Sequence, residues 1–176
     1  HFEAINHRNA IYYVEDIISK EETFSEWQIR NIHQLILKNI DDDNAGRYRQ
    51  QNVLISGATT IPPDYTLLND KMAQLVDWYN SEAYKLHPIE RAAKVHADFV
   101  GIHPFVDGNG RTSRLLMNLE LLKAGYPPCV ITVENRLAYY EALDQWMAYG
   151  KTEAFIQLVS EAVLEGFKPY QVVLGI

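Results

Sequence analysis

Apolar residues recur at three- and four-residue intervals along most of the chain, the spacing of one helix face. Ile11, Val14, Ile17 and Ile18 predict a helix over 6–18. A second opens at Ser25-Glu-Trp-Gln28, a capping-box sequence, and carries Ile29, Ile32, Ile36 and Ile40 on its face. Leu67, Leu68, Met72, Leu75, Val76 and Tyr79 mark a third over 64–79. Pro88 suits the first turn of a fourth, whose apolar side is Ile89, Ala92, Ala93, His96, Phe99 and Val100. Leu115, Leu116, Leu119 and Leu122 continue a fifth to about Ala124, where Gly125 is a good stop. Segments 135–149 and 152–174 read as two more helices. The pattern breaks once, from Tyr48 to Pro63. There Val53, Ile55 and Ile61 surround Ser56-Gly-Ala-Thr-Thr60, and Pro62-Pro63 ends the run. Short β-branched runs around a glycine turn predict a hairpin, with a plain surface loop as the alternative. A lone hairpin is marginal unless it packs on helices or receives another strand. The fold class expected is therefore all-α, a helical bundle with one short β-hairpin.

Between the fourth and fifth helices lies His103-Pro-Phe-Val-Asp-Gly-Asn-Gly-Arg-Thr-Ser-Arg114, which concentrates the chemistry. Gly108, Asn109 and Gly110 lead into a helix that Arg111 opens. A glycine-rich turn entering a helix leaves backbone N–H groups unpaired, and the helix dipole adds positive potential there. Such a turn is a phosphate seat. Arg111 and Arg114 are three apart and share a helix face, and guanidinium forks suit phosphate oxygens. Asp107 offers one hard oxygen, suited to a Mg²⁺ ion that keeps most of its waters and bridges to phosphate. His103 can be neutral near pH 7 and accept a proton from an attacking hydroxyl. Phe105 reads as an apolar anchor. The absence of Gly-Lys-Ser/Thr excludes a P-loop.

Other polar features carry less. His96 and His33 sit on apolar faces and read as hydrogen-bonded core histidines before metal ligands. His7 and His87 read as solvated or capping. Asp41-Asp42-Asp43 reads as a solvated loop, because further oxygen ligands at EF-hand spacing are missing. Tyr139-Tyr140 fits either core packing or stacking on a nucleobase. The 176 residues favour one domain with a substantial core. A net charge of −7 argues against coating nucleic acid or an acidic membrane. No apolar run approaches the ~20 residues needed to span a bilayer. No secretory signal is visible, and a single cysteine, Cys129, fits a reducing compartment and reads as an inert structural thiol. A cytoplasmic location follows as the expectation.

The stretch 103–114 resembles the signature of the Fic (filamentation induced by cAMP) family, HxFx(D/E)GNGRxxR, at every defined position. Asn6-His-Arg-Asn-Ala-Ile-Tyr-Tyr-Val14, Tyr48-Arg49, Leu115-Leu-Met-Asn118 and Ala124-Gly-Tyr-Pro-Pro128 are similar to family flanks, so the resemblance covers nearly the whole chain. It implies a single Fic domain over 1–176. A leading helix would occupy about 1–20, a core 25–149 with a "flap" at 48–63 and the motif at 103–114, and a final helix 152–176. It implies Mg²⁺-dependent transfer of AMP from ATP to a Ser, Thr or Tyr hydroxyl of a target protein. His103 would be the general base and Asp107 the Mg²⁺ ligand. Gly108, Asn109, Gly110, Arg111 and Arg114 would hold phosphates, and Tyr139 and Tyr140 would lie near the nucleoside. Val53, Leu54 and Ile55 of the flap would pair with an extended target segment. Self-modification and a homodimer are further associations that the resemblance admits. In the related Doc kinases the position of Gly110 is usually Lys, so Gly favours nucleotidyl over phosphoryl transfer.

One departure from the family pattern bears on control. The inhibitory pattern (S/T)xxxE(G/N), whose Glu pairs with the second motif arginine, does not occur; Ser160 to Glu165-Gly166 is one residue too long. In relatives with an N-terminal inhibitory helix, that helix precedes a segment like Phe2-Glu-Ala-Ile-Asn-His7. The expectation is that the intact protein extends N-terminally and carries such a glutamate there. Removal of AMP from a modified protein, which needs that Glu, is an alternative for the full-length form. A nucleotide- or partner-binding module without turnover is the alternative of another class.

Overall fold

The computed structural model describes residues 2–175. Seven α-helices follow in order: α1 (Phe2–Ser19), α2 (Glu26–Leu37), α3 (Leu68–Ser81), α4 (Pro88–Ile102), α5 (Asn109–Lys123), α6 (Arg136–Tyr149) and α7 (Glu153–Leu174). Short 3-10 turns precede α3 and α4. Local chemistry sets several boundaries. Ser25 and Gln28 close the capping box of α2, and the His87 imidazole accepts from the Ile89 N–H ahead of Pro88 at the start of α4. α2 ends at Leu37, earlier than the expected face through Ile40, which is 46% exposed. Asn6 of α1 explains the stop: its amide donates to the carbonyls of Ile36 at 3.0 Å and Lys38 at 2.6 Å, satisfying a helix end. Asp41 and Asp42 then build the following loop by accepting from Asn44 and Asn39.

α4 and α5 form the central pair, with α1, α2 and α3 on one side and α6 and α7 on the other. Each side has its own core. Ile29, Ile32, Ile36, Phe99, Phe105 and Leu116 fill the first; Ala93, Met117, Leu121, Tyr139, Trp146 and Phe155 fill the second. α5 therefore feeds both cores, and apart from its exposed last turn it is buried nearly all round, as an interior helix should be. Its one buried carboxylate, Glu120, is bound by Arg91 of α4 and Tyr79 of α3, so the buried charge is paired. The turn leading into α5 thus starts from the most constrained helix of the molecule.

Segment 48–63 differs from the expected β-hairpin: among the described residues no strand forms, and the segment is an irregular loop with a turn at Ser56-Gly57. Its arms are held by side chains instead of a ladder. Arg49 donates to the carbonyls of Gln51 and Pro63 at 2.8 and 2.6 Å, and Asn52 bonds Asp64 and the Tyr65 N–H. The arms are thereby tied at the base through a guanidinium and an amide, and no cross-strand pairing is needed to close them. No helix among the described residues is long and apolar enough to cross a membrane.

Candidate active site

α4 ends where the chemistry begins. His103 is its C-cap, in the left-handed region at φ 51° and ψ 57°. That conformation costs a non-glycine residue roughly 1–2 kcal/mol, so it must be held. Arg49 holds it: Nε donates to the His103 carbonyl and the backbone N–H to the Pro104 carbonyl, both at 2.9 Å. Arg49 is only 3% exposed, and every bond it makes is to backbone. It stitches the start of the motif to both arms of the 48–63 loop. The imidazole of His103 lies with Nδ1 3.3 Å from the Val100 carbonyl. Nδ1–H donates there, which leaves Nε2 bare as an acceptor. Burial, together with the nearby Arg49 charge, lowers the His103 pKa, so the ring is neutral at pH 7.

The turn that follows is shaped from within. Phe105 is fully buried. The Asn109 side chain accepts from the Phe105 N–H at 2.9 Å and donates to its carbonyl at 2.8 Å, closing the loop on itself. Gly108 has φ +77°, and a Cβ there would lie 3.2 Å from His33 Nε2, so both conformation and space call for glycine. No side chain caps α5, whose first N–H groups face the cavity side of the turn as an anion seat requires.

His33, from α2, is the splint beneath this turn. Its Nδ1 accepts from the Gly46 N–H at 2.9 Å, and its Nε2–H donates to the Asp107 carbonyl at 2.8 Å. The ring stacks on Phe105 with centroids 3.5 Å apart and planes within 4°. Burial drives its pKa from 6.5 down to about 4, so it stays neutral and both nitrogens keep their roles. The sequence reading as a hydrogen-bonded core histidine holds; its placement against the motif does not follow from the sequence pattern.

Asp107 and Arg111 meet at the exposed rim. Asp107 accepts from the Gly108 N–H at 2.6 Å and from Arg111 at 3.1 Å, with its side chain 69% exposed. Arg111 also donates to Glu3 of α1 at 2.8 Å. Among the described residues no group of three or more His, Cys, Asp or Glu is placed to hold a metal ion. A lone exposed carboxylate fits a cation that takes its remaining ligands from phosphate and water. Arg114 faces a cavity of about 270 Å³ that also brings together His103, Gly110 and Ile55, with Tyr139, Tyr140 and Asp144 of α6. A larger groove, about 610 Å³ between 60–63, α3 and α4, contains none of the motif's charged groups.

The two tyrosines part company. Tyr140 is 58% exposed at the cavity mouth; Tyr139 is 3% exposed, packs on Phe155, and its hydroxyl lies 2.7 Å from His96 Nε2. In the 48–63 loop, Ile55 lines the cavity and Leu54 is 78% exposed. The backbone N–H groups of Val53, Leu54 and Ile55 make no bond to other backbone. Asp144 accepts from the Thr59 N–H at 2.7 Å and so ties the loop to α6 across the cavity. Sequence reasoning missed Arg49, His33 and Asp144 as site residues, since each acts through a partner fifty or more residues away. Cys129 is buried, which pushes its thiol up to about 12, an inert group as expected.

Known proteins share this architecture. The model of the Fic/DOC family matches residues 23–121. Protein adenylyltransferase Fic of Nematostella vectensis is 41% identical over 162 residues, covering 91% of this chain and 37% of the relative. Protein adenylyltransferase fic-1 of Caenorhabditis briggsae is 40% identical over 146 residues, covering 81% of this chain and 28% of the relative. The chain thus spans about a third of the length of these relatives. A solved structure of Fic-1 from C. elegans superposes with a TM-score of 0.89 at 34% identity, covering 99% of this chain and 52% of that one. With its turn, its two arginines and its histidine set as the motif requires, the chain belongs to the Fic/DOC family.

Proposed function

We propose that this chain transfers AMP from ATP to a hydroxyl side chain of a target protein. The observation that carries the reading is the placement of His103. Its neutral ring, with Nδ1 tied to Val100, lines the cavity that Arg114 and Gly110 also line. Nε2 accepts the proton of the target hydroxyl as that oxygen attacks the α-phosphorus. The bond from phosphorus to the bridging oxygen breaks, and pyrophosphate leaves with both its electrons. The N–H groups of the turn hold the α-phosphate oxygens, and Arg111 and Arg114 hold the outer phosphates. Asp107 would hold Mg²⁺, which offsets phosphate charge when bound. For Asp107 to serve so, Arg111 must turn from its carboxylate toward phosphate, an exchange of one anion for another.

Two further features support nucleotidyl transfer to a protein. A Cβ at Gly110 would lie 3.4 Å from Arg114 Nη1, so a longer side chain there would crowd the guanidinium. The relatives' name, protein adenylyltransferase, is that of this reaction. The unpaired N–H groups of Val53, Leu54 and Ile55 leave an edge on which an extended target segment could add as a strand, forming the hairpin-like pairing only when bound. Tyr140, exposed at the cavity mouth, is placed to meet the nucleoside. The test is His103→Ala. It should lower AMP transfer by ~10²–10⁴-fold with ATP affinity unchanged; transfer at near wild-type rate would exclude His103 as the base.

A further inference from the structure

Tyr139 has too little exposure to serve as a stacking platform, yet its hydroxyl sits at the wall of the nucleotide cavity. Three groups meet there. His96 of α4, fully buried, lies 2.7 Å from the Tyr139 oxygen, with its ring edge-on to the phenol. Arg114 of α5 bonds the same phenolic oxygen from the cavity side. Gly110, one turn before Arg114, offers no side chain, and its Cα faces the guanidinium closely enough that a Cβ would touch it at 3.4 Å.

The protons of this chain can be placed. His96 is neutral, because full burial and the Arg114 charge oppose a second proton. Arg114 can only donate. The phenol hydrogen is therefore repelled from the guanidinium and directed to His96 Nε2. The phenolic lone pairs then point at Arg114. The opposite arrangement would set the phenol proton against a cation. His96 Nδ1 lies beside the Ser113 backbone without a bond of good geometry, so the Tyr139 bond is the one firm polar contact that His96 makes. Phe155, fully buried, packs on both rings and fixes them.

We infer that Tyr139 is a positioning residue, oriented by His96, that holds the Arg114 guanidinium toward the outer phosphates of the nucleotide and so makes the site prefer a triphosphate over AMP. The inference rests on the proposed role of Arg114 at those phosphates. A free arginine side chain has many rotamers, and fixing it before the ligand arrives lowers the cost of binding. The phenol supplies that fixation without carrying charge. It therefore leaves the full positive charge of Arg114 for phosphate, which a carboxylate in the same place would cancel.

The test measures calorimetric affinities for Mg²⁺-ATP and for AMP in the wild type, Arg114→Ala, Tyr139→Phe, His96→Phe and His96→Gln. Arg114→Ala should weaken ATP and leave AMP unchanged. Tyr139→Phe removes one oxygen and keeps the packing; it should weaken ATP about three- to tenfold, the worth of one charge-assisted bond, with AMP unchanged. Tyr139→Phe on the Arg114→Ala background should add nothing. His96→Phe should reproduce Tyr139→Phe, while His96→Gln, which keeps an acceptor, should recover ATP binding. If Arg114→Ala loses ATP selectively but Tyr139→Phe does not, the positioning role is overturned and the phosphate assignment stands. Equal loss of ATP and AMP in Tyr139→Phe would make it a packing or nucleoside contact and also overturn the inference. If Arg114→Ala leaves ATP binding unchanged, the inference and the phosphate assignment fail together.

Discussion

Replacing His33 by phenylalanine isolates what the splint contributes. Phenylalanine keeps the ring stacked on Phe105, whose centroid lies 3.5 Å away, and removes both hydrogen bonds. The Gly46 N–H and the Asp107 carbonyl, at 2.9 and 2.8 Å from the imidazole, lose their partners in a region that water does not reach freely. An unsatisfied buried polar group costs about 1–3 kcal/mol, so the pair should cost about 2–5 kcal/mol. In a chain of this size each kcal/mol moves Tm by roughly 2–4 °C, which sets the expected fall at about 4–20 °C. Calorimetric melting measures it. Two further variants divide the effect. His33→Gln can still donate to Asp107, and His33→Asn can still accept from Gly46. If the Asp107 tether shapes the anion turn, the Gln variant should bind ATP more tightly than the Asn variant although both melt lower. His33→Phe melting within about 2 °C of wild type, with unchanged ATP affinity, would refute the idea that this histidine holds the turn.

Acid should destabilise the fold through the same residue. Burial depresses His33 to about 4 and His96 to about 3, so between pH 6.5 and about 4 the unfolded chain binds protons that the native one refuses. Stability should therefore fall as pH drops through that window, with each histidine contributing a slope of about 1.4 kcal/mol per pH unit; denaturant midpoints measured against pH should show the slope roughly halved in His33→Phe. Asp107 is the one carboxylate of the motif, so titration calorimetry should find little Mg²⁺ binding without nucleotide and clear binding with ATP. Asp107→Asn should lose that Mg²⁺-dependent increment, and tight binding to the nucleotide-free protein would contradict the site. Val53→Pro removes an N–H that has no internal partner. It should leave Tm and ATP affinity near wild type while lowering modification of a protein target, and unchanged modification would count against strand addition.

The helices were legible because burial repeats at helical spacing, and α5 in particular declared itself by apolar residues on every side. The face of α6 was legible too. Tyr139, Ala142, Leu143 and Trp146 follow the three-four-seven spacing of a buried stripe, which places Tyr139 inside and Tyr140 outside. That pattern settles the paired tyrosines better than their chemistry does. Segment 48–63 misled because β-branched residues around a glycine favour a hairpin only when a ladder can form. Here Arg49, Asn52 and Asp64 satisfy the arms through side chains, and the edge remains unpaired. The end of α2 was overrun because its stop comes from Asn6, thirty residues upstream, and not from any local breaker. The motif's residues could be named from spacing alone. What holds them could not: Arg49 reaches across 54 residues to His103, and His33 across 74 to Asp107. Such contacts are products of helix packing and leave no local signature.

Label transfer bears most directly on the central claim. The protein is incubated with Mg²⁺ and ATP labelled at either the α- or the γ-phosphate, and label retained on protein is read after denaturation, with His103→Ala as the control. AMP transfer predicts stable retention of the α-label, none of the γ-label, and loss of the signal in His103→Ala. Retention of the γ-label would mean phosphoryl transfer, and no label from either ATP would leave a nucleotide-binding module; each contradicts the account.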